Sequence, residues 1–413
     1  MFLFRGIRRV AAVSAWSVLV LLGCALASGC SERPAANESS EAPALTATSV
    51  PWHALPGRAS ANFAPPAQAF QRSCSTWDDA DPDQPMHPER AWFGTMGDWQ
   101  HACRRLAERP DSISLSHRFR QLFQPVQLSV PGTTSLLTGY YEPILQGAQA
   151  PSSRYNVPLR RVPGDLLRID LGAFRERFEG ETLIGRREGN RVVPYYDRES
   201  IRNGALDGRN LAFLWVDSRV DKFFLQIQGS GRIQLTNGTM TRVGYAGQNG
   251  QPYRAIGRDL IEMGEVPRSE MSMQRIRQWM ANHPDRVDAL MNRNASYIFF
   301  QERTDLDPKA GPIGSQGVPL TAEYSLAVDP EVIPMGMPIW IDGSAPTATD
   351  DSSTVPFQRL MIAQDTGGAI RGPLRGDVFW GHGPDAETRA GRMQHPATWH
   401  VLVPRAALWD IPE

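Results

Sequence analysis

The stretch Gln364-Asp365-Thr366-Gly367-Gly368-Ala369-Ile370, continued by Arg371-Gly372-Pro373-Leu374-Arg375-Gly376 and then Asp377-Val378-Phe379-Trp380, decides how this chain is read. It joins an apolar strand expected over Leu360 to Ala363 to another over Val378 to Trp380. The connection is a glycine-rich loop with an aspartate at each end. Glycines admit a polymer backbone at close range, and a carboxyl set beside aromatic and apolar strand residues has its pKa raised, as a general acid requires. Asp365 has an equal alternative as a turn cap, because Asp accepts from its own following amides. Asp365-Thr366-Gly367 also matches the aspartic-protease triplet, but that chemistry needs two such aspartates sharing one proton. Asp351-Ser352-Ser353 lacks both the preceding apolar strand and the glycine, so the peptidase reading fails.

Toward the N-terminus, Trp99, Cys103 and Leu106 share a helical face, as do Leu115, Phe119, Leu122 and Phe123. Strands are expected over Leu211 to Val216, Phe223 to Gln228 and Ile233 to Leu235, with Asn237-Gly238 as a hairpin turn. Helical spacing returns at Ile256, Leu260 and Ile261, closed by Gly264, and again at Met273, Ile276 and Met280. Strands resume over Tyr297 to Phe300 and Trp399 to Val403. No fixed-period repeat is visible.

The chain has 413 residues, with 43 Lys and Arg against 44 Asp and Glu, a balance that argues against nucleic-acid binding. Its 36 Gly and 33 Pro lean toward a loop-rich β architecture, and 11 Trp, 16 Phe and 9 Tyr exclude bulk disorder. Length sets an expectation of two or three domains. There is no His-Glu-x-x-His, Walker A, Rossmann glycine pattern or Gly-x-Ser-x-Gly elbow. Metallopeptidase, NTPase, dehydrogenase and α/β-hydrolase readings therefore lose their motif, no cofactor or metal is expected, and His382 and His395 read as structural.

Arg5, Arg8 and Arg9 precede an apolar run from Val10 to Ala27 that ends in Ala27-Ser28-Gly29-Cys30. Residues 1–30 read as a lipoprotein signal peptide with Cys30 as the lipidation site, preferred over Cys24 and over an uncleaved anchor. Ser31 follows, with no Asp to signal inner-membrane retention, so the expected address is the outer membrane facing the periplasm. Residues 31–68, rich in Ala, Ser, Pro and Glu, read as a disordered tether reaching roughly 33 Å. Export places Cys74 and Cys103 where a disulfide forms, two buried thiols being the alternative.

Thr138-Gly139-Tyr140-Tyr141-Glu142-Pro143, Gln226-Ile227-Gln228-Gly229-Ser230-Gly231, and Asp365 to Ile370 with Asp377, Gly381 and Gly383 together resemble the membrane-bound lytic murein transglycosylase A family. Leu183 to Arg186, Pro194 to Arg198, Gly244 to Gly247 and Ala255 to Gly257 support the resemblance. It implies a mainly β fold with some α: a double-psi β-barrel catalytic domain (69–144 plus 306–413), an inserted β-barrel domain (145–305), and a glycan groove between them. The barrel's last part resembles the three-aspartate domain, with Asp329, Asp365 and Asp377 as its aspartates. The loop before Asp377 is one residue longer than that family's pattern.

Asp377 corresponds to the family's catalytic acid, with Asp365 and Asp329 supporting it. The expected substrate-binding residues are Thr138, Tyr140, Tyr141, Glu142, Gln226, Gln228, Gly229, Ser230, Gly231, Tyr245, Gly367 and Gly368. Gln226 and Gln228 would share one face of a strand and offer amides to the sugar, and Tyr140 and Tyr141 either stack on sugar rings or sit in the core. The implied reaction cleaves the β-1,4 bond between N-acetylmuramic acid and N-acetylglucosamine and closes a 1,6-anhydro ring. The implied partners are peptidoglycan glycan strands, the outer membrane through the lipid anchor, and other cell-wall enzymes as candidates. Two alternatives stand beside this: a noncatalytic peptidoglycan-binding lipoprotein, and a hydrolytic glycosidase with Glu142 as the second carboxylate.

Overall fold

The structure, a computed structural model, describes residues 45–108, 114–304, 306–307, 309–349 and 353–410. The signal peptide, Cys30 and Cys24 lie outside the described residues. Strands β1 (Thr46–Ser49), β2 (Phe123–Ser129) and β3 (Leu136–Glu142) open one sheet. The chain completes that sheet at its far end with β13 (Ser325–Val328), β14 (Pro338–Pro346), β15 (Thr354–Asp365), β16 (Arg375–His382), β17 (Gln394–His395) and β18 (Ala397–Pro404). The nine strands lie in the order β1-β2-β18-β14-β15-β13-β16-β3-β17. Two pairs, β13 with β15 and β16 with β3, run parallel among antiparallel neighbours.

Between these blocks lies a second β unit. Its six-stranded sheet contains β4 (Ile144–Ala148), β5 (Val157–Arg160), β9 (Ala212–Val216), β10 (Ser230–Leu235), β11 (Met240–Gln248) and β12 (Ile298–Glu302), and β6 (Leu167–Asp170), β7 (Thr182–Glu188) and β8 (Arg191–Pro194) form a small third sheet. The mainly β class with an inserted β unit is the expected fold. The hairpin at Asn237-Gly238 joins β10 to β11 in antiparallel register, with Gly238 at φ +83°, the left-handed backbone such a turn requires.

Helices cover one face of the large sheet. α1 (Ala64–Cys74), α2 (Met96–Ala107) and α3 (Leu115–Leu122) bury Phe70, Trp99 and Phe119 against Phe123, Trp340 and Trp399. The Thr95 hydroxyl and Asp98 carboxylate form a reciprocal capping box at the start of α2, which satisfies first-turn amides that the helix leaves open. Cys74 and Cys103 are disulfide-bonded across a separation of 29 residues and tie α1 to α2. Closing such a loop stabilises by roughly 3 to 4 kcal/mol on the chain-entropy account.

Two expectations are corrected. The tether does not extend to 68: Trp52 is buried and donates from Nε1 to the Phe123 carbonyl at 2.8 Å. Phe63 packs on Trp340, so the ordered body begins by Leu45. Large aromatics set among Ala, Ser and Pro supply the anchoring that a composition average hides.

Phe223 to Gln228 is not a strand but the second half of a helix numbered α5 (Arg219–Gln228), α4 being the single turn Arg198–Ser200. The Ser218 side chain accepts from the Asp221 amide at 3.1 Å, and Gly229, at φ +80°, ends the helix in left-handed geometry. Phe223 and Phe224 pack with Ile256 of α6 (Ile256–Glu262) and Trp279 of α7 (Met273–Asn282), while Leu225 packs with Leu145 and Ile233 of the six-stranded sheet. A helix buried on two sides loses the single apolar stripe that separates helix from strand.

Candidate active site

A cleft of about 670 Å³ lies where the large sheet meets the inserted unit. Asp377 on β16 pairs with Thr138 on parallel β3 and with Ala327 on antiparallel β13. This central position fixes the backbone from both sides. Gly376 allows it: a Cβ there would come within 2.5 Å of the Trp399 ring. The Thr138 hydroxyl donates to Asp377 Oδ1 at 2.7 Å.

Burial pushes the Asp377 carboxyl up; the Arg375 charge and the Thr138 hydrogen bond pull it back, Asp365 pushes again, and the group settles at about 6. Desolvation is therefore the dominant effect. A carboxyl near 6 is protonated often enough at neutral pH to deliver a proton and ionised often enough to take one. Thr138→Val removes the donor that favours the charged form. We expect the basic limb of the pH-rate profile to move upward by roughly one unit, and an unmoved limb assigns that limb to another group.

Asp365, at the end of β15, is held by four donors. Oδ2 accepts from the Tyr140 hydroxyl at 2.8 Å, and Oδ1 accepts from the Ser315 amide and hydroxyl at 2.9 and 2.7 Å and from the Thr366 amide at 2.9 Å. Asp365 thus caps the turn that follows it and also lines the cleft. Burial raises the Asp365 carboxyl, and these donors oppose the rise. Gln364 beside it donates to the Ala69 carbonyl and the Ser73 hydroxyl, both at 2.9 Å, which pins this strand end to α1.

Asp329 is buried and does not line the cleft. Its Oδ2 accepts from the Gly372 amide at 2.6 Å and its Oδ1 faces Arg371 at 3.5 Å. It braces the loop that carries Gly367 and Gly368, which do line the cleft.

Several expected sugar contacts take other roles. Tyr140 packs among Leu320, Ile370 and Phe379, and Tyr141 is 3% exposed, so neither presents a ring face to the cleft. β3 is covered on both faces, which turns its aromatics into core. Gln226 lines the cleft with its carboxamide already engaged: it accepts from Arg198 Nη1 at 2.5 Å and donates to the Ile298 carbonyl at 2.9 Å. Gln228 accepts from the Tyr141 amide at 3.0 Å and lines the cleft with Gly229 and Ser230. Helical spacing places Gln226 and Gln228 about 200° apart rather than on one face. Gly231 is a packing glycine, since a Cβ would meet Leu225 at 2.4 Å.

Glu142 is 1% exposed and bound by two guanidiniums: Arg232 Nε donates to Oε2 at 2.8 Å, Arg242 Nε to Oε1 at 3.0 Å and Arg242 Nη2 to Oε2 at 3.0 Å. This cluster ties β3 to β10 and β11 and so sets the cleft walls. Tyr245, 49% exposed, offers an open ring in the cleft, as does Tyr253, 36% exposed. Sequence reading missed Tyr253, Ser315, Arg198 and Arg375. The first two sit in aperiodic loops, where only the glycines around Ser315 gave a signal.

The MltA specific insert domain matches residues 136–301 and the 3D domain matches residues 324–403. The membrane-bound lytic murein transglycosylase A of Vibrio cholerae is 31% identical over 284 residues, spanning 67% of this chain and 68% of the relative. The crystal structure of a membrane-bound lytic murein transglycosylase from Agrobacterium tumefaciens superposes with a TM-score of 0.76 at 34% identity, covering 88% of this chain and 98% of that one. MltA from Escherichia coli with bound chitohexaose aligns with a TM-score of 0.60 at 27% identity, covering 81% and 89%. On the relative matched across two thirds of its length, this chain belongs to the membrane-bound lytic murein transglycosylase A family.

Proposed function

We propose that Asp377 is the single acid and base of a lytic transglycosylase that cleaves the β-1,4 bond between N-acetylmuramic acid and N-acetylglucosamine and leaves 1,6-anhydromuramic ends. The observation that carries this is one carboxyl poised at about 6 beside two further cleft carboxylates that are already engaged, Asp365 by four hydrogen-bond donors and Glu142 by two arginines. A hydrolytic glycosidase needs two working carboxyls, one as acid and one as base or nucleophile. An intramolecular cyclisation needs one. Protonated Asp377 gives its proton to the leaving O4 as the C1–O4 bond breaks; the resulting carboxylate then takes the proton of the muramoyl O6 hydroxyl as the C1–O6 bond forms. No water enters, and Asp377 ends as it began.

Asp365, with Ser315 and Tyr140, holds the loop end in place. Tyr245 and Tyr253 supply ring faces, and Thr138, Gln228, Gly229, Ser230, Gly367 and Gly368 border the path of the strand. In this reading residues 145–305 are the inserted domain, and 69–144 with 306–413, joined at the start by the ordered residues from 45, form the catalytic one. Chitohexaose in the Escherichia coli relative supports an amino-sugar polymer as the occupant of the cleft.

Turnover of purified sacculi in water enriched with oxygen-18 tests the chemistry. Anhydro ends without label are expected; labelled reducing ends would show hydrolysis, and binding without turnover would show a wall-binding protein.

The relatives are named membrane-bound, and among the described residues no helix is long and apolar enough to cross a membrane. We propose a lipid anchor at Cys30 in the outer membrane, with peptidoglycan and other cell-wall enzymes as neighbours. Cys30→Ala should release the processed protein from the membrane fraction, and its continued retention counts against the anchor.

A further inference from the structure

Beside the cleft, and sharing Arg198 and Gln226 with it, lies a second cavity of about 290 Å³. Its wall is cationic. Lys222, in the middle of α5, is 8% exposed, and Arg198 is 7% exposed. Among the described residues neither forms an ion pair with a carboxylate. Arg198 donates to the carbonyls of Asn294 and Ser296 and to Gln226, while Lys222 Nζ lies 5.1 Å from the centre of the Tyr297 ring. Among the described residues the one carboxylate lining the cavity, Asp288, is already shared by Arg202 at 2.6 Å and Arg219 at 3.0 Å. Arg160 donates to the Tyr297 hydroxyl at 3.3 Å and pairs outward with Asp207 at 3.2 Å.

A buried ammonium without a counter-ion is costly, so a fold that keeps one beside a cavity gains when an anion enters. Burial pushes the Lys222 ammonium itself down, against the pull of Tyr297, so its charge is incompletely compensated. Burial alone would raise the Tyr297 phenol, yet Lys222 and Arg160 outweigh burial and hold it below the ordinary value.

We propose that this cavity is a carboxylate subsite that receives the free terminal carboxylate of the peptide stem carried by the muramoyl residue lying in the cleft. The proposal rests on the peptidoglycan reading above, because an acidic peptide hanging from a neutral glycan is the anion that such a substrate brings. α5 links the two sites: Lys222 faces the cavity, and Gln228, at the helix end, borders the cleft. The subsite would favour strands that still carry stems over strands stripped of them.

The test compares three preparations of glycan strands with purified mature protein: stems intact, stem carboxylates amidated, and stems removed. The expected result for the wild type is a kcat/KM roughly 10- to 100-fold higher for intact stems, the range for hydrogen bonds to a charged group. Lys222→Met should abolish that preference while leaving stripped strands unaffected, and Lys222→Arg should keep it. A thermal transition of Lys222→Met at or above that of the wild type shows that it folds. Equal rates on all three preparations, or equal slowing of all three by Lys222→Met, overturn the subsite. Inhibition by inorganic phosphate that depends on Lys222, without any preference among strands, identifies a small-anion site and also overturns it. Anhydro products from stripped strands without a stem preference remove the subsite alone; no cleavage of any preparation removes the transglycosylase reading and the subsite with it.

Discussion

Asp377→Asn is expected to lower turnover of sacculi by at least roughly 10²- to 10⁴-fold, the range for losing general acid-base catalysis, and to make the protein more stable at pH 8. The amide keeps the shape and can still accept from Thr138, but it has no proton to deliver to O4 and cannot take one from O6. The stability gain follows from the same burial that creates the activity. The native carboxyl titrates at about 6, above the ordinary 3.8 of an aspartate in water, so the native state holds the proton more tightly than the unfolded chain does. Stability from this group is fully present below about pH 4 and lost as pH rises through about 6. Asparagine escapes that loss. The variant should gain on the order of 1–3 kcal/mol over wild type at pH 8, shrinking toward zero at pH 4. Urea denaturation at the two pH values reads the difference. A fully active variant, or one with the same stability offset at both pH values, contradicts the assignment. Asp365→Asn should cost less turnover, since Ser315 and Tyr140 can still hold an amide.

The legible parts of the sequence were those where chemistry and period agree. Asp377 followed a glycine loop and opened an apolar strand, and the strand forms with the carboxyl at the cleft floor. Trp99, Cys103 and Leu106 showed a helical stripe because α2 has one dry face. Phe223 to Gln228 misled because α5 is dry on two sides, although its Ser218 start and Gly229 stop were in plain sight. Tyr140 and Tyr141 misled for a related reason: an aromatic on a central strand and an aromatic on a groove wall look alike in sequence, and only the layer above β3 distinguishes them. The Glu142 cluster was illegible because Arg232 and Arg242 lie 90 and 100 residues away along the chain, and nothing local announces that three strands converge there.

That cluster yields the second large effect. Arg242→Met is expected to destabilise by about 3 kcal/mol, at the lower end for removing one partner of a buried ion pair, because Arg232 still faces Glu142. Glu142→Gln should cost a similar amount, as it leaves two buried guanidiniums facing an amide. The double variant should cost clearly less than the two together, with a coupling of roughly 0.5–3 kcal/mol, since Arg232 then donates to a neutral amide at position 142 and no half-paired carboxylate is left between the strands. The walls of the cleft meet at this cluster, so each single variant should raise KM more than it lowers kcat. The double variant also separates the two chemistries. If Glu142 served as a nucleophile or base, Glu142→Gln would lower kcat by roughly 10²-fold or more whatever stands at position 242; if it is a clamp between β3, β10 and β11, kcat follows the stability of the cleft. Additive losses in urea denaturation would deny the coupling, and a collapse of kcat with unchanged KM would return Glu142 to the catalytic machinery and the reaction to hydrolysis.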